Sequence, residues 1–302
     1  DVWDGSGAAT DLSLLATPPL NWYRMGDNGA YKSPQWLIPS NENKDKVSNY
    51  SFEFDGVDDY LNLGRVTAME GATNFSVSMW VKPTSYVGTR MMFGRFFSGT
   101  DFIYAYTDNV FGYIIWSISN GQTNYPRVQT ASSMPLNTWG LLTFVYDGSL
   151  SGNLNKAKIY INGSLVATTT TIYQMPSSLS LDTTDFLIAQ RSGAPGTPMA
   201  GNIDEVSLYD YSLSASEVTD IYNLGTPNDL SLLTTPPINY YKIGEEATFS
   251  GGVWNVPDAI GSNNGTSNAM TIEDRVGEAP NSTNNALSFN MDLVDRTTDV
   301  PT

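Results

Sequence analysis

The chain writes one phrase twice. "DLSLLATPPLNWYRMGD" starts at Asp11, and "DLSLLTTPPINYYKIGE" starts at Asp229. The offset between them persists through Pro18/Pro236, Pro19/Pro237, Asn21/Asn239, Tyr23/Tyr241 and Gly26/Gly244, and returns at Trp36/Trp254 and Pro39/Pro257. The exchanges between copies are conservative: Trp22 for Tyr240, Arg24 for Lys242, Asp27 for Glu245. Solenoid repeats have periods of roughly 20 to 50 residues, whereas the span from Asp11 to Asp229 is the size of a whole domain. The phrase therefore predicts tandem domains. Residues 1–10 are expected to be the tail of an upstream repeat or a linker, 11–225 a complete domain, and 226–302 a partial second repeat. Asp1-Val2-Trp3 lines up with Asp220-Ile221-Tyr222, with one residue of slack, which is why the tail is placed there.

Between the phrases the apolar residues alternate. "FSVSMWVKP" sets Phe75, Val77, Met79 and Val81 against Ser76, Ser78 and Trp80. "GLLTFVYDG" sets Leu142, Phe144 and Tyr146 against Leu141, Thr143 and Val145, and Phe52 and Phe54 share a face in "SFEFD". A period of two marks half-buried strands. "KAKIYINGSLVATTT" is a hairpin, because Asn162-Gly163 accepts the positive φ of a type I′ turn. "DFLIAQ" and "GNIDEVSLYDY" read as two further strands. The density of short strands and Gly, Asn and Asp turns predicts an all-β chain, an antiparallel β-sandwich. One helix is expected after the last strand: in "SLSASEVTDIYNLG", Ser214 and Glu217 form a capping box, Val218, Ile221 and Tyr222 share a face, and Gly225 closes the end.

Composition excludes several functions. The net charge of −16 offers no basic footprint for a nucleic-acid backbone. With no cysteine and no histidine, the chain lacks disulfides, thiolate metal sites and the commonest general base. No apolar run approaches the roughly 20 residues of a membrane span, so no membrane insertion is expected.

"FEFDGVDDYLNLG", "FSVSMWVKP", "YINGSLVAT" and "GNIDEVSLYDYSLSASEVTDIYNLG", in that order and spacing, resemble a laminin-G-like, concanavalin-A-like lectin domain from about Asn21 to Gly225. The resemblance implies a jelly-roll of two curved sheets, an extracellular or surface setting, and glycan or protein binding without catalysis. The "SLL-TPP" leaders and the Asn- and Thr-rich linkers also resemble structural proteins of marine tailed phages in style. The fold also hosts glycoside hydrolases with paired carboxylates. Glu53 and Asp55 share a strand face, but Val57 stands where a third acid would be expected.

Such domains often hold calcium, a hard ion that takes carboxylates and carbonyls. Asp58 and Asp59, beside Asp55 at a glycine turn, and Asp204 in the final strand are the candidate ligands; an ordinary Asp-rich turn is the competing reading. Sugar stacking needs exposed aromatic faces with a polar rim. In "DFIYAYTDNVFGYIIWSISNGQTNYPR", Phe102, Tyr104 and Tyr106 share a face. Phe102 and Phe111 are expected in the core. Trp116 and Tyr125, beside the "SNGQTNY" turn, suit the interior and a ligand surface equally.

The last 75 or so residues hold few apolar side chains, too few to offset an ordering entropy of roughly 1–2 kcal/mol per residue. They are expected to dock on an external surface, another copy of the chain or another surface protein, through Leu287, Phe289 and Met291 in "ALSFNMDL". Leu14, Leu15 and Tyr23 of the first phrase are expected to be buried against the first sandwich, Leu232, Leu233 and Tyr241 of the second likewise in their own setting, and deletion of 227–302 is expected to leave a folded first domain. The function implied is a structural or adhesive surface protein, a virion component made of tandem lectin-like domains, able to bind cell-surface glycans. A secreted bacterial carbohydrate-binding or adhesin module is the alternative.

Overall fold

In a computed structural model, the described residues are 30–32, 35–37, 48–170, 173–193 and 196–280. The chain divides into two units, Asp1–Lys46 with Asn284–Thr302, and Val47–Thr283. In the first unit the described residues form an antiparallel pair, β1 (Ala30–Lys32) and β2 (Gln35–Leu37), with Tyr31 opposite Trp36. Leu14, Leu15, Tyr23 and the assembly residues Leu287, Phe289 and Met291 lie outside the described residues.

The second unit is a two-sheet antiparallel sandwich. Its strands run β3 (Ser51–Asp55), β4 (Tyr60–Asn62), β5 (Asn74–Pro83), β6 (Arg90–Phe96), β7 (Asp101–Thr107), β8 (Tyr113–Asn120), β9 (Arg127–Ser133) and β10 (Gly140–Asp147). After a single helical turn, α1 (Asn153–Lys156), come β11 (Ala157–Ile161), β12 (Ser164–Leu165), β13 (Thr168–Thr170), β14 (Leu187–Ile188), β15 (Thr197–Pro198) and β16 (Ala200–Tyr209). The helix α2 (Ala215–Tyr222) follows, and then β17 (Asn239–Tyr241), β18 (Thr248–Ser250), β19 (Val253–Val256), β20 (Gly265–Asn268) and β21 (Arg275–Val276). One sheet has the order β12-β11-β10-β5-β16-β3-β21, with β17 added on β16. The other runs β13-β9-β8-β7-β6-β14-β4-β20-β19-β18. The short β15 pairs parallel with β6.

The alternation of the sequence builds the interior. Phe75, Val77, Met79 and Val81 of β5 and Leu142, Phe144 and Tyr146 of β10 face Phe93, Ile103, Trp116 and Ile118 of the opposite sheet, and all are buried. Asn162 and Gly163 both take positive φ, and the two-residue turn joins Ile161 to its partner Ser164. α2 has the predicted capping box: the Ser214 hydroxyl accepts the Glu217 N–H, and Glu217 accepts the Ser214 N–H. Its left-handed C-cap is Asn223, two residues before the expected Gly225, since asparagine tolerates that conformation. Among the described residues no helix is long and apolar enough to cross a membrane.

The second copy of the phrase is built into this same sandwich. β17 pairs with β16, β20 pairs with β4, and β21 pairs with β3, so residues beyond 225 extend both sheets. Leu230 and Tyr240 join Trp80, Leu141, Val145, Tyr160, Tyr209 and the buried side of α2 in a second apolar cluster on the outer face of the first sheet. The segment from Leu230 to Val276 packs on an apolar surface of its own chain. Leu233 packs there, but Leu232 is 82% exposed, contrary to expectation. The reason is local: Leu230–Leu232 is a 3₁₀ turn, whose period of three puts Leu230 and Leu233 on one side and Leu232 off it.

Candidate functional site

The outer face of the second sheet carries a row of rings. Ile103 and Ala105 of β7 point inward, so Phe102, Tyr104 and Tyr106 point out. Their centroids are 4.9 Å (Phe102–Tyr104) and 5.6 Å (Tyr104–Tyr106) apart. Phe96 of β6 stacks on Phe102 at 5.7 Å, and the Arg191 guanidinium lies 4.8 Å from the Phe96 ring and 4.6 Å from the Tyr104 ring. Tyr125, from the β8–β9 turn, stacks on Phe102 at 5.3 Å and keeps 49% of its surface exposed. Phe102 is buried as expected, although under Tyr125 rather than between the sheets. Phe111 is exposed at the tip of the β7–β8 turn, not in the core.

Trp116 is not on this surface. It is 0% exposed, between Ile114 and Ile118 in the inward register of β8, and meets Phe144 edge-on at 5.5 Å. The parity of Ile114 and Ile118 already carries that placement; the nearby polar turn obscures it.

The row ends at an open cleft of about 560 Å³, lined among others by Phe97, Asp101, Asn120, Leu181 and Asp182. Asp101 accepts from Ser98 Oγ at 3.0 Å, Thr100 Oγ1 at 2.9 Å and the Gly121 N–H at 3.0 Å, which fastens the β6–β7 turn to the β8–β9 turn. Asn120 Nδ2 donates to the carbonyls of Ser178 (3.2 Å) and Leu179 (3.3 Å), fastening the third wall. Under that wall lies the buried Arg95. Its guanidinium donates to the carbonyls of Asp182 (2.8 Å) and Ser180 (3.2 Å), and its Nε stands 3.7 Å from the Asp182 carboxylate. Burial lowers the Arg95 pKa and the Asp182 charge opposes the fall. Above this floor Phe97 is 62% and Leu181 79% exposed. Apolar faces thus border a carboxylate and a carboxamide; with the Asn120 Nδ2 committed to the 178 and 179 carbonyls, what the pair presents to a ligand is oxygen acceptors. Sequence reading placed only Tyr125 near this cleft; Phe97, Asp101 and Asn120 lie in separate turns whose meeting depends on sheet register.

The three aspartates named as metal ligands separate into two groups. Asp58 and Asp59 sit with Asp55 in the β3–β4 turn. There Asp55 Oδ1 accepts the N–H groups of Val57 (2.7 Å) and Asp58 (3.3 Å), and Asp59 Oδ2 accepts the Asp55 N–H at 3.0 Å. Burial pushes the Asp59 carboxyl up to about 6, helped by the charges of Asp55, Asp274 and Asp58 and opposed by the Asp55 N–H. Asp204 lies instead on β16 with Glu205, and Glu245 reaches both from the end of the second phrase. Burial raises the pKa of all three, of Glu205 to about 8 and of Glu245 to about 7.

Residues 55–219, more than half of the chain, match the profile of the concanavalin A-like lectin/glucanases superfamily, and the chain belongs to it. Among curated proteins none matches the sequence. Its fold is similar to that of a Bacteroides ovatus protein described as carbohydrate-binding, with 18% identity and a TM-score of 0.53; the match covers 77% of this chain and 61% of that one. The chain thus spans less than two thirds of that protein's length. Domain 4 of the extracellular arabinanase AbnA of Geobacillus stearothermophilus, solved with arabinotriose, shares 24% identity over 57% of this chain and 76% of that one, with a TM-score of 0.46. Mouse laminin α1 domains LG4-5 share 9% identity over 56% and 44%, with a TM-score of 0.42.

Proposed function

We propose that this protein is a non-catalytic, extracellular carbohydrate-binding module, and that sugar docks in the cleft beside Tyr125. The observation that carries this is an exposed ring, Tyr125, stacked on Phe102, next in sequence to Asp101 of a cleft lined by exposed Phe97 and Leu181 with Asn120, over a floor braced by Arg95. An apolar face stacks on sugar C–H groups while a carboxylate and an amide order its hydroxyls. Asp55, one of the two acids considered for hydrolysis with Glu53, is engaged in holding its own turn. A glycan array of the full chain tests the proposal: wild type should retain a defined set of glycans that Tyr125→Ala and Asp101→Ala release. Equal retention by the variants, or none by wild type, contradicts it.

A virion or other surface assembly is the second reading, with a secreted bacterial module fitting the cleft equally well. The phrase repeated at Asp11 and Asp229 supports an array of such units. Electron microscopy of the native source, labelled with antibody to this chain, should then show it on a particle or cell surface; label confined to soluble secreted material contradicts the assembly.

A further inference from the structure

The two copies of the phrase fold the same hairpin. β1 and β2 pair Ala30 with Leu37, Tyr31 with Trp36 and Lys32 with Gln35. β18 and β19 pair Thr248 with Asn255, Phe249 with Trp254 and Ser250 with Val253. Each residue of the second hairpin lies 218 positions after its counterpart in the first (248 − 30, 255 − 37), the offset of the phrase itself (229 − 11). The sequences there, AYKSPQWL and TFSGGVWN, have only the tryptophan in common, so the shared register belongs to the phrase as a folding unit.

In the sandwich the second copy works as a strap. β17 lies on β16, Leu230 and Tyr240 fill the outer face formed by Trp80, Leu141, Tyr160 and Tyr209, and Trp254 meets Phe52. β16 is shaped to receive it. It bulges against β5 between Asp204 and Ser207, Glu205 takes a positive φ there, and the Tyr240 hydroxyl donates to Glu205 Oε2. At Gly244, where φ is +102°, an added Cβ would stand 2.6 Å from the Tyr50 Cβ. Asp229 bonds to Lys242 at 3.3 Å.

The first copy carries the same parts at the same spacing in sequence: Leu12 for Leu230, Trp22 for Tyr240, Gly26 for Gly244, Trp36 for Trp254, and Asp11 with Arg24 for the ion pair. Trp22, like Tyr240, is a ring with one polar hydrogen to donate. Among the described residues the sandwich has one outer face of this kind, and the second copy fills it. The first copy therefore fits a face on a different sandwich.

We propose that residues 11–40 are a docking strap for a second lectin-like sandwich, where they take the place that 229–258 take here. The partner is defined by its chemistry: an apolar outer face like that of Trp80, Leu141, Tyr160 and Tyr209, and a bulged last strand with an acceptor for Trp22. A second copy of this chain offers that face when its own strap is displaced, an exchange of identical elements. The strap supplies the assembly reading with a contact and does not depend on the glycan cleft.

The test uses the full chain carrying Trp22→Ala and Tyr240→Ala, which weaken both of its own straps. A fluorescein-labelled peptide of residues 11–40 should bind it, seen as a rise in anisotropy. At a hundredfold excess over its Kd the peptide should raise Tm by about 5–10 °C. The 11–40 peptide with Trp22→Ala should bind roughly tenfold more weakly or worse, since buried aromatic anchors dominate such contacts. Wild type, its face filled, should bind the unaltered peptide as poorly. The proposal is overturned if the 11–40 peptide does not bind, if its Trp22→Ala form binds equally, or if wild type binds it as well as the variant does. Should the variant fail to fold, wild type is refolded from urea with about a hundredfold excess of the peptide: label that co-elutes with the folded chain supports the strap, and its absence overturns it. Peptide binding, together with label confined to soluble secreted material in the microscopy, would retire the assembly reading and keep the strap.

Discussion

Replacing Trp254 by alanine asks whether the residues after 225 belong to the sandwich or to a domain of their own. Trp254 is 1% exposed. Its ring lies 5.1 Å from Phe52 of the first sheet and 5.1 Å from Phe249, with the Arg275 guanidinium 4.9 Å away. Its Nε1 donates to the Thr271 carbonyl at 2.7 Å. Truncating a buried tryptophan costs about 3–5 kcal/mol, and the lost partner of Thr271 adds about 1 kcal/mol. A loss of about 4–6 kcal/mol is a large part of the roughly 5–15 kcal/mol of a folded domain, and corresponds to a fall in Tm of about 8–24 °C. The assay is urea denaturation followed by far-ultraviolet circular dichroism and by fluorescence. One transition should move to lower urea in both signals, because Phe52 lies in the central core. Two transitions, with only the minor one displaced, or a loss under about 1 kcal/mol, would refute the reasoning.

Ending the chain at Gly225 strips Leu230 and Tyr240 from Trp80 and Tyr209, and Trp254 from Phe52; size-exclusion chromatography should show aggregated or molten material, and a soluble domain with a sharp melting transition would contradict this. Asp108 accepts the N–H groups of Val110 (2.8 Å), Phe111 (2.7 Å) and Tyr113 (3.0 Å) in the β7–β8 turn. Burial pushes its carboxyl up, but those donors outweigh burial and hold it below its ordinary 3.8. A depressed carboxylate stabilises the fold above its unfolded value and loses that contribution as pH falls through its folded value. Asp108→Ala should therefore cost about 1 kcal/mol at pH 7 and converge with wild type in strong acid; a difference that stays constant down to pH 2 would contradict it.

Much of the sandwich is legible in the sequence because its strands are amphipathic with a strict period of two. Phe75 to Val81, Leu142 to Tyr146 and the Asn162-Gly163 turn each state their conformation locally, as does the Ser214–Glu217 box. What local rules miss is set by register and by distant partners. The repeated phrase marks a recurrence but not its phase: Tyr240 and Leu230 look like the opening of a new domain, yet they cover the outer face that Trp80 and Leu141 leave apolar. The polar neighbours of Trp116 in sequence point to the surface, where parity with Ile114 and Ile118 decides for the core. Acidity alone groups Asp204 with Asp58 and Asp59; the bulge at Glu205 and the distant Glu245 give it a different set of neighbours. Phe97, Asp101 and Asn120 meet only because two turns and residues 178–183 come together at one end of the sheet.

The measurement that bears most directly on the proposed function is isothermal titration of the best glycan from an array into wild type and Tyr125→Ala. An aromatic stacking contact is worth about 0.5–1.5 kcal/mol, so the variant should bind roughly two- to tenfold more weakly, while the loss of its stack on Phe102 lowers Tm by a few degrees at most. Equal affinity in the two proteins would mean that the cleft beside Tyr125 is not where the sugar sits.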